Sequence, residues 1–325
     1  MIIDFHNHYY PKAYMDELKN STGYASVTRD SAGRLVVEYI GDYNIVADAH
    51  VNLEDRLTAM KKYEIDMEVL TLTTPGVERE APELGIELAK LTNDEYGRIS
   101  EKYPDRFTAL ATLPMQDPQA AVEELDRAVN ECGLRGAMIF SNVNGRTLDS
   151  KEFLPVFEKA WHLGVPLFIH PTSPINSSGM EEFRLVPIMG FGVDTSLAIL
   201  RLVFSGVLER LPGLKLVSTH TGGIFPYLRG RIEIGYHAYP ECKVNISKPP
   251  STYLQKIWLD TVCYDGDVLM SSYSYVGADK IVLGTDFPHQ ISDLENAVRR
   301  VRALKIGEEK KEKILGGNAM KLLKL

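Results

Sequence analysis

Short runs of apolar residues alternate along the chain with longer stretches whose apolar positions recur at helical spacing. That alternation marks repeated strand-then-helix units around a parallel sheet. Eight runs stand out, at residues 2–6, 68–73, 107–113, 136–140, 165–170, 214–219, 257–261 and 280–285. Each is rich in Val, Ile, Leu or Phe, as a strand buried on both faces requires. Between them, residues 82–102, 118–131, 152–163 and 194–209 carry the helical period. Eight such units close a (β/α)8 TIM barrel, so one domain over residues 1–325 is predicted, with no linker to a second.

Two segments break the pattern. Residues 20–49 hold Gly23, Gly33 and Gly41 around the alternating run Leu35-Val36-Val37-Glu38-Tyr39-Ile40, the signature of a small hairpin inserted after strand one. Residues 172–192, rich in Ser, Pro, Gly and Met, follow strand five. Both insertions leave the C-terminal ends of strands, where barrel enzymes build their sites, so both are expected to form lids or pocket walls. Residues 308–325 read as a closing helix with apolar positions Ile314, Met320 and Leu323.

Composition excludes several classes of function. The chain has 325 residues, 44% hydrophobic and 25% charged, the balance of an ordinary globular protein. A net charge of -8 and the absence of a polybasic run argue against a nucleic-acid partner. No stretch approaches the ~18 apolar residues of a spanning helix, so no membrane association is expected. The first residues lack the basic and apolar regions of a secretion signal, and the expected location is cytoplasmic. Cys132, Cys242 and Cys263 are far apart with no Cys-x-x-Cys pair, and are read as reduced, buried thiols.

Candidate chemistry is concentrated at strand ends. Of the eight histidines, His6 and His8 end strand one, His170 ends strand five and His220 ends strand six, while Asp286 ends strand eight. In a barrel these ends share one rim, so residues distant in sequence converge. His6 and His8 are two apart, which on a regular strand puts both imidazoles on one side. A lone His-x-His pair is common; several titratable groups on the strand ends of one barrel are not. Imidazole nitrogens with a carboxylate suit one divalent ion, zinc first, with manganese or ferrous iron also accommodated, and three or four protein ligands leave a position for water or substrate. His50, His162 and His237 read as loop or helix-surface residues. His289, three residues past Asp286, reads either as a pocket wall or as a solvated loop residue.

Asp4-Phe5-His6-Asn7-His8, Phe168-Ile169-His170-Pro171, Ser218-Thr219-His220-Thr221-Gly222-Gly223 and Leu283-Gly284-Thr285-Asp286-Phe287-Pro288 together resemble, in order, the signatures of the amidohydrolase superfamily. The His-Thr-Gly-Gly followed by Gly230-Arg231-Ile232 is similar, more narrowly, to the branch containing aminocarboxymuconate semialdehyde, resorcylate and carboxyvanillate decarboxylases. The resemblance implies that His6, His8, His170 and Asp286 ligate one metal and that His220 is an acid/base beside it, with His220 or Asp286 delivering a proton to the substrate carbon. It implies a carbon–carbon lyase acting on a small, aromatic carboxylic acid. It also implies a homodimer in which Arg231 reaches across the interface to a substrate carboxylate. The branch's other substrate arginine falls where this chain has Tyr43-Asn44-Ile45, so a less charged monocarboxylate is expected. Asn44, Phe191, Phe287 and His289 are the candidate pocket residues, and Met189-Gly190-Phe191-Gly192 a segment whose backbone could approach a ligand.

The residues alone leave alternatives open. A mononuclear hydrolase of a lactone, ester or amide would use the same ligands, and so would a hydratase of an unsaturated acid. Strand four ends Ile139-Phe140-Ser141-Asn142, without the lysine that bridges two metals in binuclear relatives. The remaining alternative is a barrel that binds a metal or metabolite without turnover.

Overall fold

The eight apolar runs form eight parallel strands. In the computed structural model, which describes residues 1–21, 23–39 and 42–325, they are Ile3–His8, Met67–Thr71, Phe107–Ala109 continued by Ala111–Thr112, Ala137–Phe140, Pro166–His170, Lys215–Ser218, Trp258–Asp260, and Ile281–Val282 continued by Gly284–Phe287. The third and eighth strands change hydrogen-bonded partner midway, and there the sheet closes. Leu110 N donates to Leu70 O at 3.0 Å and Ala111 N to Gly136 O at 2.9 Å, while Phe5 N donates to Leu283 O at 2.8 Å. Ile3 stands opposite Met67 and His170 opposite Phe140, while strand one shifts register against both neighbours between Asp4 and Asn7.

Two apolar layers hold the barrel. Phe5, Val69, Leu110, Met138, Phe168, Val217 and Val282 cluster with Ala319, Leu322 and Leu323 of the last helix. A second layer packs between the strands and the surrounding helices. The closing element runs Glu308–Glu312, Lys313–Gly317 and Asn318–Leu323. Its buried positions include Ile314, Leu322 and Leu323, whereas Met320, expected to face inward, is partly exposed because the turn at Lys313–Gly317 is a π-helical one that resets the spacing.

The first insertion is a three-stranded antiparallel sheet, Ala25–Arg29, Leu35–Tyr39 and Asp42–Ile45, rather than a two-stranded hairpin. Ile40 and Gly41, which the sequence puts at the end of the alternating run, lie outside the described residues. Val37 and Tyr39 pack on Tyr10, Tyr14, Leu72 and Val77, so the alternation reflects one face of the sheet lying on the barrel.

The second insertion corrects two expectations. Its end is helical: Val186–Gly190 is a π-turn that runs into the helix Phe191–Phe204. The resulting Val186–Phe204 helix, with mean hydropathy 1.5, is long and apolar enough to cross a membrane by length and composition. The inner face, with Asp194, Ala198, Ile199, Leu202 and Val203, is buried in the fold, while Ile188, Met189, Val193 and Leu197 are exposed. Gly190 is buried against Met180 and Pro174, where a Cβ would come within 3.0 Å of both. It serves packing of the insertion.

Candidate active site

Asp286 is the hub of the strand ends. Its Oδ1 lies 3.1 Å from His8 Nε2 and 3.3 Å from His6 Nε2, and the two imidazole nitrogens are 3.2 Å apart. Its Oδ2 is 3.4 Å from His220 Nε2. Two donors bonded to one zinc at 2.0–2.1 Å in tetrahedral geometry stand about 3.3 Å apart, so the spacing of His6, His8 and Asp286 is that of a coordination shell. His170 completes the fit. Its Nδ1 pairs with the Pro171 carbonyl at 2.8 Å, and its buried Nε2 has no hydrogen-bond partner among the described residues. A buried imidazole nitrogen left without a protein partner suits a metal ligand. Potential ligand atoms of His6, His170, His220 and Asp286 lie within 4.8 Å of one another, as do those of His8, Asp286 and His289. The donor set of imidazoles and a carboxylate therefore fits a divalent metal.

Each ligand is aimed by a partner behind it. His6 Nδ1 donates to Asp260 Oδ2 at 2.6 Å, and Asp260 also accepts the backbone amides of His220 at 3.0 Å, Thr221 at 2.9 Å and Val262 at 3.1 Å. A carboxylate on Nδ1 fixes the tautomer that turns the Nε2 lone pair to the centre. The sequence reading missed Asp260, although it lies near the end of the seventh apolar run and ends the strand Trp258–Asp260. Arg56 is the second missed residue. Wholly buried, it donates to Glu68 at 2.7 Å, to the His8 carbonyl at 2.6 Å and to Asn7 Oδ1, which pins the metal-bearing end of the first strand.

Backbone strain gathers here as well. His220, Thr221 and Asp286 have φ of 52°, 53° and 60°, a left-handed region that costs a non-glycine residue on the order of 1 kcal/mol. After them Gly223, φ 66°, passes so close to the Gly192 carbonyl that a Cβ would lie 2.2 Å from it. The chain thus swings His220 over the rim at a point where only glycine lets the next helix pack.

Electrostatics sets the protonation states of the metal-free site. Burial opposes charge on His6, but Asp286 and Asp260 outweigh it and push its pKa up to about 10. Burial dominates at His8, lowering it to about 3. Burial likewise lowers His170 well below the usual range, with His8 and His6 adding to the effect. Asp286 resists burial because His6 foremost, then His220 and His8, hold its carboxyl well below the ordinary carboxylate range. The site is a negative hub beside which His6 favours its charged form and His8 and His170 their neutral forms.

A cavity of about 930 Å³ opens over this hub, lined in part by His170, His220, Asp286, Asn44, Phe191 and His289. Of the expected pocket residues, Asn44, Phe191 and His289 are thus in place. Asn44 also ties the insertion down, its Nδ2 donating to Tyr10 Oη at 3.0 Å and the Thr74 carbonyl at 2.7 Å. His289 is fixed by Thr73, Nε2 to Oγ1 2.9 Å, with its ring 4.8 Å from that of His8. Phe287 is a correction: it does not line the cavity, and its ring packs 5.2 Å beneath the Arg56 guanidinium. Asp286, at φ 60°, departs from extended backbone, and the chain turns its carboxylate inward while the Phe287 ring goes to Arg56. Arg231 is exposed on the helix Phe225–Ala238, outside the cavity lining.

Two further expectations change. His50 is fully buried, its ring 5.1 Å from that of His289, because the helical turn Asp48–His50 folds it beneath the insertion. The three cysteines are free, as expected, but partly exposed rather than buried. Arg184, from the second insertion, also lines the cavity.

A preorganised nitrogen and oxygen donor set at the C-terminal mouth of a (β/α)8 barrel defines a metal-dependent barrel enzyme. Residues 3–325 match the amidohydrolase family, and the chain belongs to it. The chain is 34% identical to the 2-amino-3-carboxymuconate-6-semialdehyde decarboxylase of Dictyostelium discoideum, over 99% of this chain and 91% of that one. It is 30% identical to the gamma-resorcylate decarboxylase of Rhizobium sp. (strain MTP-10005), over 91% and 94% of the two chains. Among solved structures it is similar to a dihydroxybenzoic acid decarboxylase from Polaromonas sp. JS666 with bound manganese and the inhibitor 2-nitroresorcinol. That likeness has TM-score 0.82 and 27% identity, and covers 100% of this chain and 97% of the other.

Proposed function

We propose that the protein is a metal-dependent non-oxidative decarboxylase of a small aromatic acid, with His6, His8, His170 and Asp286 holding one divalent ion. The observation that carries the reading is the clustering of the His6, His8 and Asp286 donor atoms 3.1–3.3 Å apart in a family whose similar members are named decarboxylases. Zinc suits a donor set of three imidazoles and one carboxylate, and manganese is the ion bound in the Polaromonas relative.

A bound divalent ion supplies positive charge that attracts and polarises the substrate oxygens. The protein side handles the proton. His220 sits on the rim, its Nε2 facing Asp286 Oδ2 at 3.4 Å, and delivers a proton to the ring carbon that carries the carboxylate. The bond to the carboxylate carbon then breaks, its electron pair returns to the ring, and carbon dioxide leaves. His220 is recharged from water through the open cavity. Asp286 holds the imidazolium in place between turnovers, as a carboxylate does for any paired imidazole.

A homodimer fits the surface. On and just after the helix Phe225–Ala238, Tyr227 and Ile234 are 87% and 69% exposed, and Tyr239 and Val244 continue the apolar face. Large exposed apolar patches mark interfaces, and Arg231 lies on the same helix, free to enter the neighbouring copy's cavity.

The test is carbon dioxide release from a panel of hydroxybenzoates and unsaturated acids by protein loaded with zinc or manganese, beside chelated protein. Metal-dependent release from at least one acid is expected. Silence toward every acid, with hydrolysis of a lactone or ester instead, overturns the reading.

A further inference from the structure

Two insertions that leave different strands meet over the cavity. Arg184, in the second, donates through Nη1 to Asp42 Oδ1 in the first, 142 residues away. Its guanidinium carbon lies 4.4 Å above the ring of Tyr43. Asp42, Tyr43 and Arg184 all line the cavity, and among the described residues lining it Arg184 is the sole Lys or Arg. Phe183 and Arg184 both have φ of 58°, two consecutive non-glycine residues in the left-handed region, a costly backbone that persists where the surroundings over-determine it. The Asp42 side chain is buried, at 5% exposure, while that of Arg184 keeps 44%. The guanidinium is therefore held at one corner and open along its remaining edge: among the described residues, Nε and Nη2 have no hydrogen-bond partner.

We propose that Arg184 is the specificity-determining residue of this site, gripping a second anionic group on the substrate at the end remote from the carboxylate that is lost. A planar guanidinium presents paired donors that match a carboxylate bidentately. Asp42 orients the fork and Tyr43 supports its face, so the free edge is preorganised toward the cavity. The substrate class is then an aromatic acid carrying two anionic groups, rather than a simple monocarboxylate. The inference rests on the decarboxylase reading for the reaction but not for the binding.

Calorimetry on the metal-loaded protein tests it, with isophthalate and terephthalate measured against benzoate, none of which carries the hydroxyl of the hydroxybenzoate substrates. The wild-type protein is expected to prefer a dicarboxylate, and Arg184→Met to reduce that preference about 10- to 100-fold, the range for a hydrogen bond to a charged group. An unaltered preference in Arg184→Met overturns the proposal. So does a preference removed by Arg231→Met and not by Arg184→Met, which makes the neighbouring copy's cation the anchor. Turnover is read separately, as kcat/KM for a hydroxybenzene dicarboxylate against the hydroxybenzoate lacking the remote carboxylate. Failure of the decarboxylase reading would show as no carbon dioxide from either acid while the calorimetric preference persists.

Discussion

Asp260→Asn isolates what aims the metal ligands. Asp260 accepts four hydrogen bonds: Oδ1 takes the amides of Thr221 and Val262, and Oδ2 takes His6 Nδ1 and the amide of His220. Asparagine keeps one oxygen and turns the other into an NH2 donor. If the oxygen faces Thr221 and Val262, the NH2 faces His6 and pulls the imidazole to the tautomer with its proton on Nε2, away from metal binding. If it faces His6, two buried amides lose their acceptor, at about 1–3 kcal/mol each. Replacing a carboxylate that orients a metal-bound imidazole costs ~10- to 100-fold in metal affinity, which is about 1.4–2.8 kcal/mol. Competition against a chromophoric chelator measures the affinity, and thermal melts of the metal-free variant measure the stability lost. A variant that binds zinc or manganese as tightly as wild type, and melts at the same temperature without metal, refutes the assignment of Asp260.

His220→Ala should leave metal content intact and cut turnover about 10²- to 10⁴-fold; unchanged turnover removes His220 from proton transfer. In the metal-free protein His6 titrates near 10 when folded and at its ordinary 6.5 when unfolded. Between those values the folded state binds the extra proton, so its stabilisation is full below pH 6.5 and is lost as pH rises toward 10, by at most about 1.4 kcal/mol per unit. Melts of chelated protein from pH 6.5 to 10 should show this decline, and metal uptake near pH 8 should release about one proton into unbuffered solution; uptake without proton release contradicts it. Arg56→Met strands the buried Glu68 carboxylate, and urea denaturation should register a loss of about 3–5 kcal/mol.

The periodicity of the chain carried the fold. Eight buried runs separated by amphipathic stretches have one closed solution, and the helix at Pro82–Lys102 starts and stops where the pattern says. His6, His8, His170, His220 and Asp286 were legible because strand ends are legible, and a barrel brings all its strand ends to one rim. What the sequence could not display is direction across a strand pair or between insertions. Phe287 looked like a pocket wall because it adjoins Asp286, but its ring packs on Arg56 instead. Asp260 and Arg56 drew no reading from the sequence, and became the supports of His6 and His8 through contacts 254 and 48 residues apart. Arg184 had no sequence signal, since its place depends on two loops closing over one cavity. Period and strand-end chemistry are local properties that a sequence states directly, whereas a partner distant along the chain is chosen by packing, and packing exists only once the barrel has closed.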